Sequence, residues 1–220
     1  MSRRTYSQSC SMARTLDVIG ERWTLLILRE LMLGPKRFTD LLPGLEGIGK
    51  NLLALRLKQL RAAGLVGRHE LPPPAASRVY ELTADGRALG PAMAELGRWG
   101  IERLDSPPPE FQFRPGWAMF PLAYMADAEA AQGLEETYEF RIAEEQFHLE
   151  VRDGTVEPHT GPANHPDLIV TMDPATLSEL FFGDLGAPDA LAEGRIGIEG
   201  APEALQHALA ILDVDPQAAT

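Results

Sequence analysis

The sequence predicts two α+β domains in one chain. Its 220 residues exceed the ~100 to 150 of a common single domain. Helical periodicity dominates the first half, whereas period-two alternation appears from about Thr137. Between these patterns lies Ser106-Pro107-Pro108-Pro109, which suits neither a helix interior nor a sheet because proline fixes φ and lacks an amide donor. We therefore expect a first domain over 1–104, a proline-rich linker with a connecting helix over 105–129, and a second domain over 130–220.

Composition excludes several classes of protein. Hydrophobic residues make up 45% and charged residues 24%, which is ordinary globular composition. No apolar run approaches the ~20 residues of a membrane span, and no apolar stretch follows Arg3 and Arg4 as a secretory signal would require. We expect a cytoplasmic protein with no membrane partner, associated with the nucleoid when it is bound to DNA. The single cysteine excludes an intrachain disulfide and a multi-cysteine zinc site.

No catalytic or metal-binding motif stands out. The five histidines include no H-E-x-x-H pattern, and the serines lie in no G-x-S-x-G turn. Gly194 to Gly200 leads into a predicted strand, so it lacks the following helix that a phosphate-binding loop needs. We expect no enzymatic activity, no cofactor and no metal.

Charge is distributed unevenly along the chain. Residues 1–104 hold 16 Lys and Arg against 10 Asp and Glu, a balance of +6, whereas residues 105–220 hold 4 against 22, a balance of −18. Contacts with phosphates require Lys and Arg, and an acidic surface repels nucleic acid. Only the first half is therefore expected to approach a polyanion.

The first half of the chain is predicted to form a series of helices followed by a β-hairpin. The predicted helices are 12–19, 21–33, 37–42 and 50–63. Each is followed by a stop signal, which is a Gly-Pro pair, a Pro-Gly pair or a single glycine. In the last of these, Leu53, Leu57 and Leu60 form a buried stripe. Two strands follow, 65–71 and 78–82, joined by the stiff loop Pro72 to Ala76. A helix capped by Thr83 is predicted to run to about Leu104.

This order of short helix, turn, basic-faced helix and hairpin predicts a winged helix-turn-helix. Such a helix enters the DNA major groove, and the hairpin reaches the adjacent backbone or minor groove. A basic helix face also occurs as plain solvated surface, but the hairpin and the +6 balance favour double-stranded DNA as partner. The predicted DNA-binding residues are Arg37, Lys50, Asn51, Ala54, Lys58, Arg68 and Arg78.

The same region resembles the HxlR-type family of bacterial transcription regulators. The resemblance rests on Cys10, the stretch Ile19 to Leu31, Arg37-Phe38-Thr39-Asp40-Leu41, Gly64-Leu65-Val66 and Tyr80-Glu81-Leu82-Thr83. It implies a DNA-binding regulator, with repression favoured, that forms a homodimer through Met12–Ile19 and Thr83–Leu104.

Two further points come with the HxlR-type resemblance. Cys10 is implied as a redox sensor, since a helix start stabilises a thiolate; inert packing is the alternative. Gly49 departs from the family, which usually has Ser or Thr before the basic helix.

The second half alternates strands with short helices. Apolar residues recur at every second position around Tyr138–Ile142, Phe147–Val151 and Leu168–Met172, and Ile196 and Ile198 mark a last strand. Short helices are predicted at 174–182, 188–193 and 202–212, all with proline at their first position. These elements predict a sheet that helices cover on one face.

This half resembles the sterol carrier protein family. Val151-Arg152-Asp153-Gly154, Pro166 to Val170, Phe182 to Leu185 and Glu193 to Gly200 carry the resemblance. It implies an apolar pocket for a fatty acyl chain or another apolar ligand. The wall candidates are Phe140, Phe147, Leu149, Phe181, Phe182 and Ile198, with ordinary core packing as the alternative.

Two functions remain open on the sequence. The first is a DNA-binding transcription regulator whose acidic second domain binds an apolar small molecule. The second is a dimeric lipid-binding carrier or scaffold without specific DNA binding. Steep salt dependence of DNA binding distinguishes them, because it is expected only of the regulator.

Overall fold

The computed structural model describes residues 5–70, 77–101, 103 and 113–212. The chain divides into two compact units, Met1–Gly90 and Pro91–Thr220. This division lies upstream of the boundary that the proline-rich segment suggests. The wing loop Pro72 to Ala76, Leu71, Leu104 and most of the linker lie outside the described residues.

The first unit contains helices followed by a small sheet. Its elements are α1 (Ser11–Ile19), α2 (Thr24–Met32), β1 (Lys36–Arg37), α3 (Phe38–Leu41), a 3-10 turn (Leu42–Gly44), α4 (Lys50–Ala62), β2 (Val66–Glu70), β3 (Arg78–Leu82) and α5 (Ala84–Arg87). The predicted buried stripe Leu53, Leu57 and Leu60 lies in the core, together with Ile27 and Leu28 of α2. The predicted helix-turn-helix is therefore present.

The sheet of this unit has β3 at its centre, in the order β1-β3-β2 with antiparallel pairing throughout. Arg37 lies in β1 and immediately precedes α3, so its predicted place inside a helix is wrong. The reason is local: the backbone N–H of Arg37 donates to the Asp40 carboxylate at 3.3 Å, which starts the helix one residue later.

The second predicted helix begins later than expected. Trp23 has φ +79°, a left-handed conformation that a non-glycine residue rarely adopts. This residue turns the chain between α1 and α2, and α2 therefore starts at Thr24 rather than Glu21.

The predicted single helix from Thr83 to Leu104 is wrong, because two helices occupy this stretch. Thr83 does cap α5, since its hydroxyl accepts the Gly86 N–H at 3.1 Å. However, α5 ends at Arg87 and α6 (Gly90–Ile101) begins separately. Pro91 has no N–H for the Arg87 carbonyl, which explains the break.

The second unit places helices against a five-stranded sheet. After α6 it contains α7 (Pro115–Tyr124), β4 (Glu135–Ile142), β5 (Glu145–Arg152), β6 (Thr155–Thr160), β7 (Leu168–Met172), α8 (Pro174–Phe182), α9 (Ala187–Ala192), β8 (Gly197–Gly200) and α10 (Pro202–Ile211). The strand order is β6-β5-β4-β7-β8, with β4 and β7 parallel and every other pair antiparallel.

The predicted alternation produces one apolar sheet face. Tyr138 pairs with Leu149 and Leu168, and Phe140 pairs with Phe147 and Val170 across the three central strands. All of these side chains are buried.

Helix α7 lies within the predicted linker region 105–129, but it is mostly buried and packs against β5, β6 and α8. It is thus part of the second unit's core. Among the described residues, no helix is long and apolar enough to cross a membrane.

Candidate nucleic-acid interface

Helix α4 presents a polar, basic face to solvent. Its buried stripe anchors it in the first unit, and the helix packs against β2. On the opposite side Lys50, Asn51, Ala54 and Lys58 are all exposed, as the sequence predicts. Since α4 contains no Asp or Glu, no acidic residue of its own opposes an approaching phosphate.

Arg56 has a different role from the lysines of α4. Its guanidinium donates to the Glu21 carboxylate at 2.7 Å and to the Arg22 carbonyl at 3.3 Å. It also donates to the Gln59 side chain at 2.8 Å. Only 11% of the Arg56 side chain is exposed, so this cation holds α4 to the chain preceding α2.

The turn that precedes α4 is held by a buried carboxylate. Glu30 of α2 is 2% exposed and pairs with Lys36 and Arg29, each at 2.8 Å. Arg29 also donates to the Gly44 carbonyl at 2.9 Å. These contacts join α2, β1 and the 3-10 turn, which fixes the position from which α4 starts.

The wing strands supply a second set of basic groups. Arg68 and Arg78 are exposed, as is Arg37 on β1. Arg68 lies opposite Tyr80 in the sheet register, with its guanidinium carbon 5.8 Å from the ring centroid. Arg78 lies opposite Glu70. All seven predicted DNA-binding residues are therefore on the surface of the first unit.

Sequence reasoning missed Leu55, which is 42% exposed on the same face of α4. The signal was available in the spacing: Leu55 lies outside the i, i+4, i+7 stripe that accounts for the buried leucines. It lies four residues after Asn51 and three before Lys58, so it neighbours both on the helix surface.

The predicted ligand-pocket residues fall into two groups. Phe140, Phe147 and Leu149 are buried in the sheet core. Phe181, Phe182 and Ile198 are only half-buried. Two open surface cavities of the described residues are lined by other residues, all in the first unit.

An aromatic cluster that the sequence did not predict forms around the two phenylalanines of α8. The ring of Phe113 lies 6.2 Å from each of Phe181 and Phe182, measured between centroids. Phe181 and Phe182 themselves meet edge to face at 5.2 Å. Phe181 and Phe182 of this cluster are, with Ile198, the predicted wall residues that remain partly exposed.

The other face of the second sheet carries a buried carboxylate. Glu139 is 1% exposed. Burial alone would raise the pKa of its carboxyl, but hydrogen bonds from the Ala163 N–H at 2.7 Å and from Arg141 at 2.6 Å hold the pKa below its ordinary value.

Two histidines of the second sheet, His148 and His159, stack with their ring centroids 5.0 Å apart. Among the described residues no group of three acidic, His or Cys side chains is arranged to hold a metal ion.

Cys10 is exposed and immediately precedes α1 as its N-cap residue. Its side chain makes no capping hydrogen bond. The thiol is thus open to reagents in solution.

The fold and the basic surface together define a winged helix-turn-helix DNA-binding module. A family model described as HxlR-like helix-turn-helix matches residues 18–107. The regulator YvaP of Bacillus subtilis is 33% identical over 92 residues, which cover 42% of this chain and 85% of that protein. Through its N-terminal part, the chain belongs to the HxlR-like helix-turn-helix family.

Other relatives match the same part of the chain. The regulator YodB of Bacillus subtilis is 36% identical over 88 residues, covering 40% of this chain and 79% of YodB. The regulator Rv3095 of Mycobacterium tuberculosis is 43% identical over 97 residues, covering 44% of this chain but only 61% of its own length. Both bear the name HTH-type transcriptional regulator.

The C-terminal part matches a different family model, described as alkyl sulfatase C-terminal, over residues 121–218. The solved structures that resemble parts of the chain do so at low TM-scores. The oxidized redox regulator HypR has a TM-score of 0.41 at 32% identity, covering 44% of this chain and 99% of HypR. A double mutant of the sec-alkyl sulfatase PisA1 has a TM-score of 0.41 at 20% identity, covering 45% of this chain and 16% of PisA1. The sterol carrier resemblance is not confirmed by these matches.

Proposed function

We propose that this protein is a homodimeric, sequence-specific DNA-binding regulator that acts as a repressor. The observation that carries the proposal is the acid-free, exposed face of α4 with Lys50, Asn51 and Lys58, anchored from behind by a fully buried leucine stripe. A helix of this kind fits the major groove, while Arg68 and Arg78 reach the backbone beside it. Occupancy of a promoter by such a dimer excludes other proteins, which is repression in its simplest form.

The proposed dimer would use the helices that the family resemblance implies. On α1, Met12 is 64% exposed and Leu16 is exposed as well. An open cavity of about 300 Å³ runs along α1, lined by Arg14, Thr15, Val18, Ile19, Leu65 and Leu89. On α6, Leu96 and Trp99 are exposed. Apolar surface of this kind is stabilised when a second copy covers it.

The test of the DNA-binding proposal is fluorescence anisotropy with the DNA upstream of the protein's own coding region. Lys58→Ala and Lys50→Ala are each expected to weaken binding by roughly tenfold at low salt, because each dimer loses two phosphate contacts. Arg152→Ala is the matched control, since this exposed cation lies in the second unit. Binding of both lysine variants with the affinity of the parent would show that α4 is not the DNA-reading helix.

For the second unit we propose an apolar small-molecule ligand of the fatty acyl class, bound beside Phe113, Phe181 and Phe182. The half-buried aromatic cluster supports this, because aromatic rings left partly exposed gain stability when an apolar chain covers them. The match to the alkyl sulfatase C-terminal model supports an alkyl chain as the ligand class.

Mass spectrometry of lipids extracted from the purified protein tests the ligand proposal. An alkyl or acyl species at near-equimolar amount is expected from the parent and a reduced amount from Phe181→Ser. Equal amounts in both proteins, or none in the parent when it is incubated with fatty acids, would contradict the proposed site. A carrier without specific DNA binding, the competing function, would retain lipid but fail the anisotropy test.

Cys10 is proposed as a thiol sensor. Diamide would oxidise two Cys10 thiols, one from each protomer, to a disulfide while diamide itself is reduced to the hydrazine. The exposure of Cys10 and its position at the start of α1 support the proposal. Operator affinity is expected to change after diamide in the parent and not in Cys10→Ser; an unchanged parent would contradict the sensor role.

A further inference from the structure

Helix α4 has one leucine, Leu55, that is exposed to solvent. In α4 the three leucines of the stripe are at most 2% exposed, whereas Leu55 is 42% exposed. Single exposed leucines are common on protein surfaces. What distinguishes Leu55 is its location next to Asn51 and Lys58, two of the predicted DNA contacts of α4.

Two predicted DNA-binding residues neighbour Leu55 on the surface of α4. Asn51 lies one turn before it, and Lys58 lies almost one turn after it. Lys50, at the first position of the helix, lies on a different side from Leu55. Around the helix axis Asn51 lies between Lys58 and Leu55, so a phosphate contact by Lys58 leaves Asn51 and Leu55 directed at the base edges.

The remaining polar residues of α4 limit which bases it can read. Arginine is the usual partner of guanine, but Arg56 is engaged by Glu21 and the Arg22 carbonyl. The other arginine of α4, Arg61, lies in the last turn of the helix, away from Asn51 and Leu55. Gln59 is held by Arg56. The helix has no carboxylate to accept from the cytosine amino group.

We propose that Leu55 is a specificity-determining residue that packs against the 5-methyl group of a thymine, while Asn51 pairs with an adenine in the same half-site. An apolar side chain distinguishes thymine by this methyl group, and an asparagine amide matches the N6 and N7 positions of adenine. The inference rests on the proposed DNA-binding function and adds the base composition of its target. Each half-site contains an A·T pair next to a T·A pair under α4.

The test compares thymine with deoxyuracil, which lacks only the methyl group. An operator is first selected from a random duplex pool with the full-length protein. Each thymine of a half-site is then replaced by deoxyuridine and the affinity is measured by anisotropy. Removal of one buried methyl group is expected to weaken binding about fourfold per half-site, and about fifteenfold when both half-sites are changed.

Two variants assign the effect to the leucine. Leu55→Ala is expected to bind the thymine and deoxyuracil operators with equal affinity. Leu26→Ala is the matched control, because Leu26 lies on α2 and is 41% exposed, nearly as much as Leu55. It is expected to keep the full difference in affinity between the thymine and deoxyuracil operators. Both side chains are on the surface, so neither change is expected to prevent folding.

The outcomes separate this inference from the proposed function. If the parent binds its selected operator tightly but no thymine-to-deoxyuracil change weakens it, the inference is overturned while DNA binding stands. If Leu55→Ala still binds the thymine operator more tightly than the deoxyuracil operator, the inference is overturned as well. If no sequence is selected from the pool, the proposed function fails and the inference fails with it.

Discussion

Glu30 is the buried charge that most directly affects the geometry of the first unit. Its carboxylate is surrounded by Arg29, Lys36 and the backbone of Gly44, where a Cβ atom would collide with it. The close approach of the Glu30 carboxylate to the backbone therefore requires glycine at position 44. The two cations are each about one-fifth exposed, so the network is only partly shielded from solvent.

Replacement of Glu30 by Gln is expected to lower the free energy of unfolding of the first unit by about 2 to 4 kcal/mol. The amide keeps the shape but leaves two partly buried cations without their counter-charge. Urea denaturation followed by circular dichroism measures the change. Glu46→Gln is the control, since Glu46 is an exposed carboxylate of the first unit; it is expected to shift stability by less than about 0.5 kcal/mol. A Glu30→Gln protein as stable as the parent would show that the network contributes nothing.

At single residues the sequence was most informative about the surface. The seven predicted DNA-binding residues are all exposed because the leucine spacing defines the buried side of α4 and thereby its opposite. The Glu30 network was not predictable in this way, because its members come from α2, β1 and a turn whose distances periodicity does not give. The same limit applies to Phe113, which meets Phe181 and Phe182 only in the folded unit.

Among the elements, α4 begins without a side-chain cap. Gly49 is the N-cap residue with φ −75° and ψ 143°, and an added Cβ atom would meet nothing within 4 Å. These angles are open to any residue, so the position does not require glycine.

Gly49→Ser is therefore expected to stabilise the first unit by about 0.5 to 1 kcal/mol. The serine hydroxyl can accept a first-turn N–H, and the unfolded chain loses the freedom of glycine. The thermal midpoint measures the gain. Gly49→Ala serves as the control that restricts the unfolded chain without adding a cap, and it is expected to gain less. A destabilised Gly49→Ser protein would contradict the geometry at this helix start.

Helix α8 shows the opposite case, a helix with a charged cap. The Thr176 backbone N–H donates to Asp173 at 2.9 Å and the Thr176 hydroxyl does so at 2.7 Å, which holds the pKa of the Asp173 carboxyl below its ordinary value. Because the folded-state pKa is the lower one, the stabilisation is present above the unfolded value of about 3.9 and is lost as pH falls through the folded value.

Asp173→Ala is accordingly expected to cost about 1 kcal/mol of stability at pH 7. The difference in free energy of unfolding between Asp173→Ala and the parent should stay constant between pH 8 and pH 5 and shrink below about pH 4. Urea midpoints at these pH values give the comparison. If the stability lost in Asp173→Ala instead grows as pH falls, the charged form of Asp173 does not stabilise the fold and the charged cap is refuted.

Element prediction succeeded where periodicity and stop signals coincide. Helix α4, with its glycine before and after, lies within one residue of its predicted bounds, and β5, β7 and β8 lie within two residues of theirs, whereas β4 begins at Glu135, ahead of the predicted Tyr138. Prediction failed at the helix expected to run from Thr83 to Leu104. Its apolar spacing continues across the break between Arg87 and Gly90, and the prediction follows this periodicity rather than the stop signal of the Gly90-Pro91 pair.

At the scale of the whole molecule, the uneven charge suggests how the second unit affects DNA binding. Residues 105–220 carry −18, and at physiological salt charges within ~8 Å of a phosphate still act on it. We therefore expect an acidic unit tethered to a DNA-binding unit to oppose nonspecific binding.

Deletion of residues 105–220 is expected to raise affinity for nonspecific DNA by at least about threefold at low salt. It is expected to leave a dimer and to abolish any response to an apolar ligand. Sedimentation equilibrium and anisotropy measure the two properties, with circular dichroism to check that the shortened chain is folded. A monomer would place dimerisation in the acidic half, and unchanged affinity would refute the electrostatic effect.

The salt dependence of operator binding tests DNA recognition through α4 most directly. A dimer that neutralises about six to ten phosphates should give a slope of log Kobs against log salt of about −5 to −9. Lys58→Ala should make the slope shallower by about two, one for each protomer, while Arg152→Ala should leave it unchanged. A slope shallower than about −2 in the parent, or the same steep slope in Lys58→Ala, would contradict recognition through this helix.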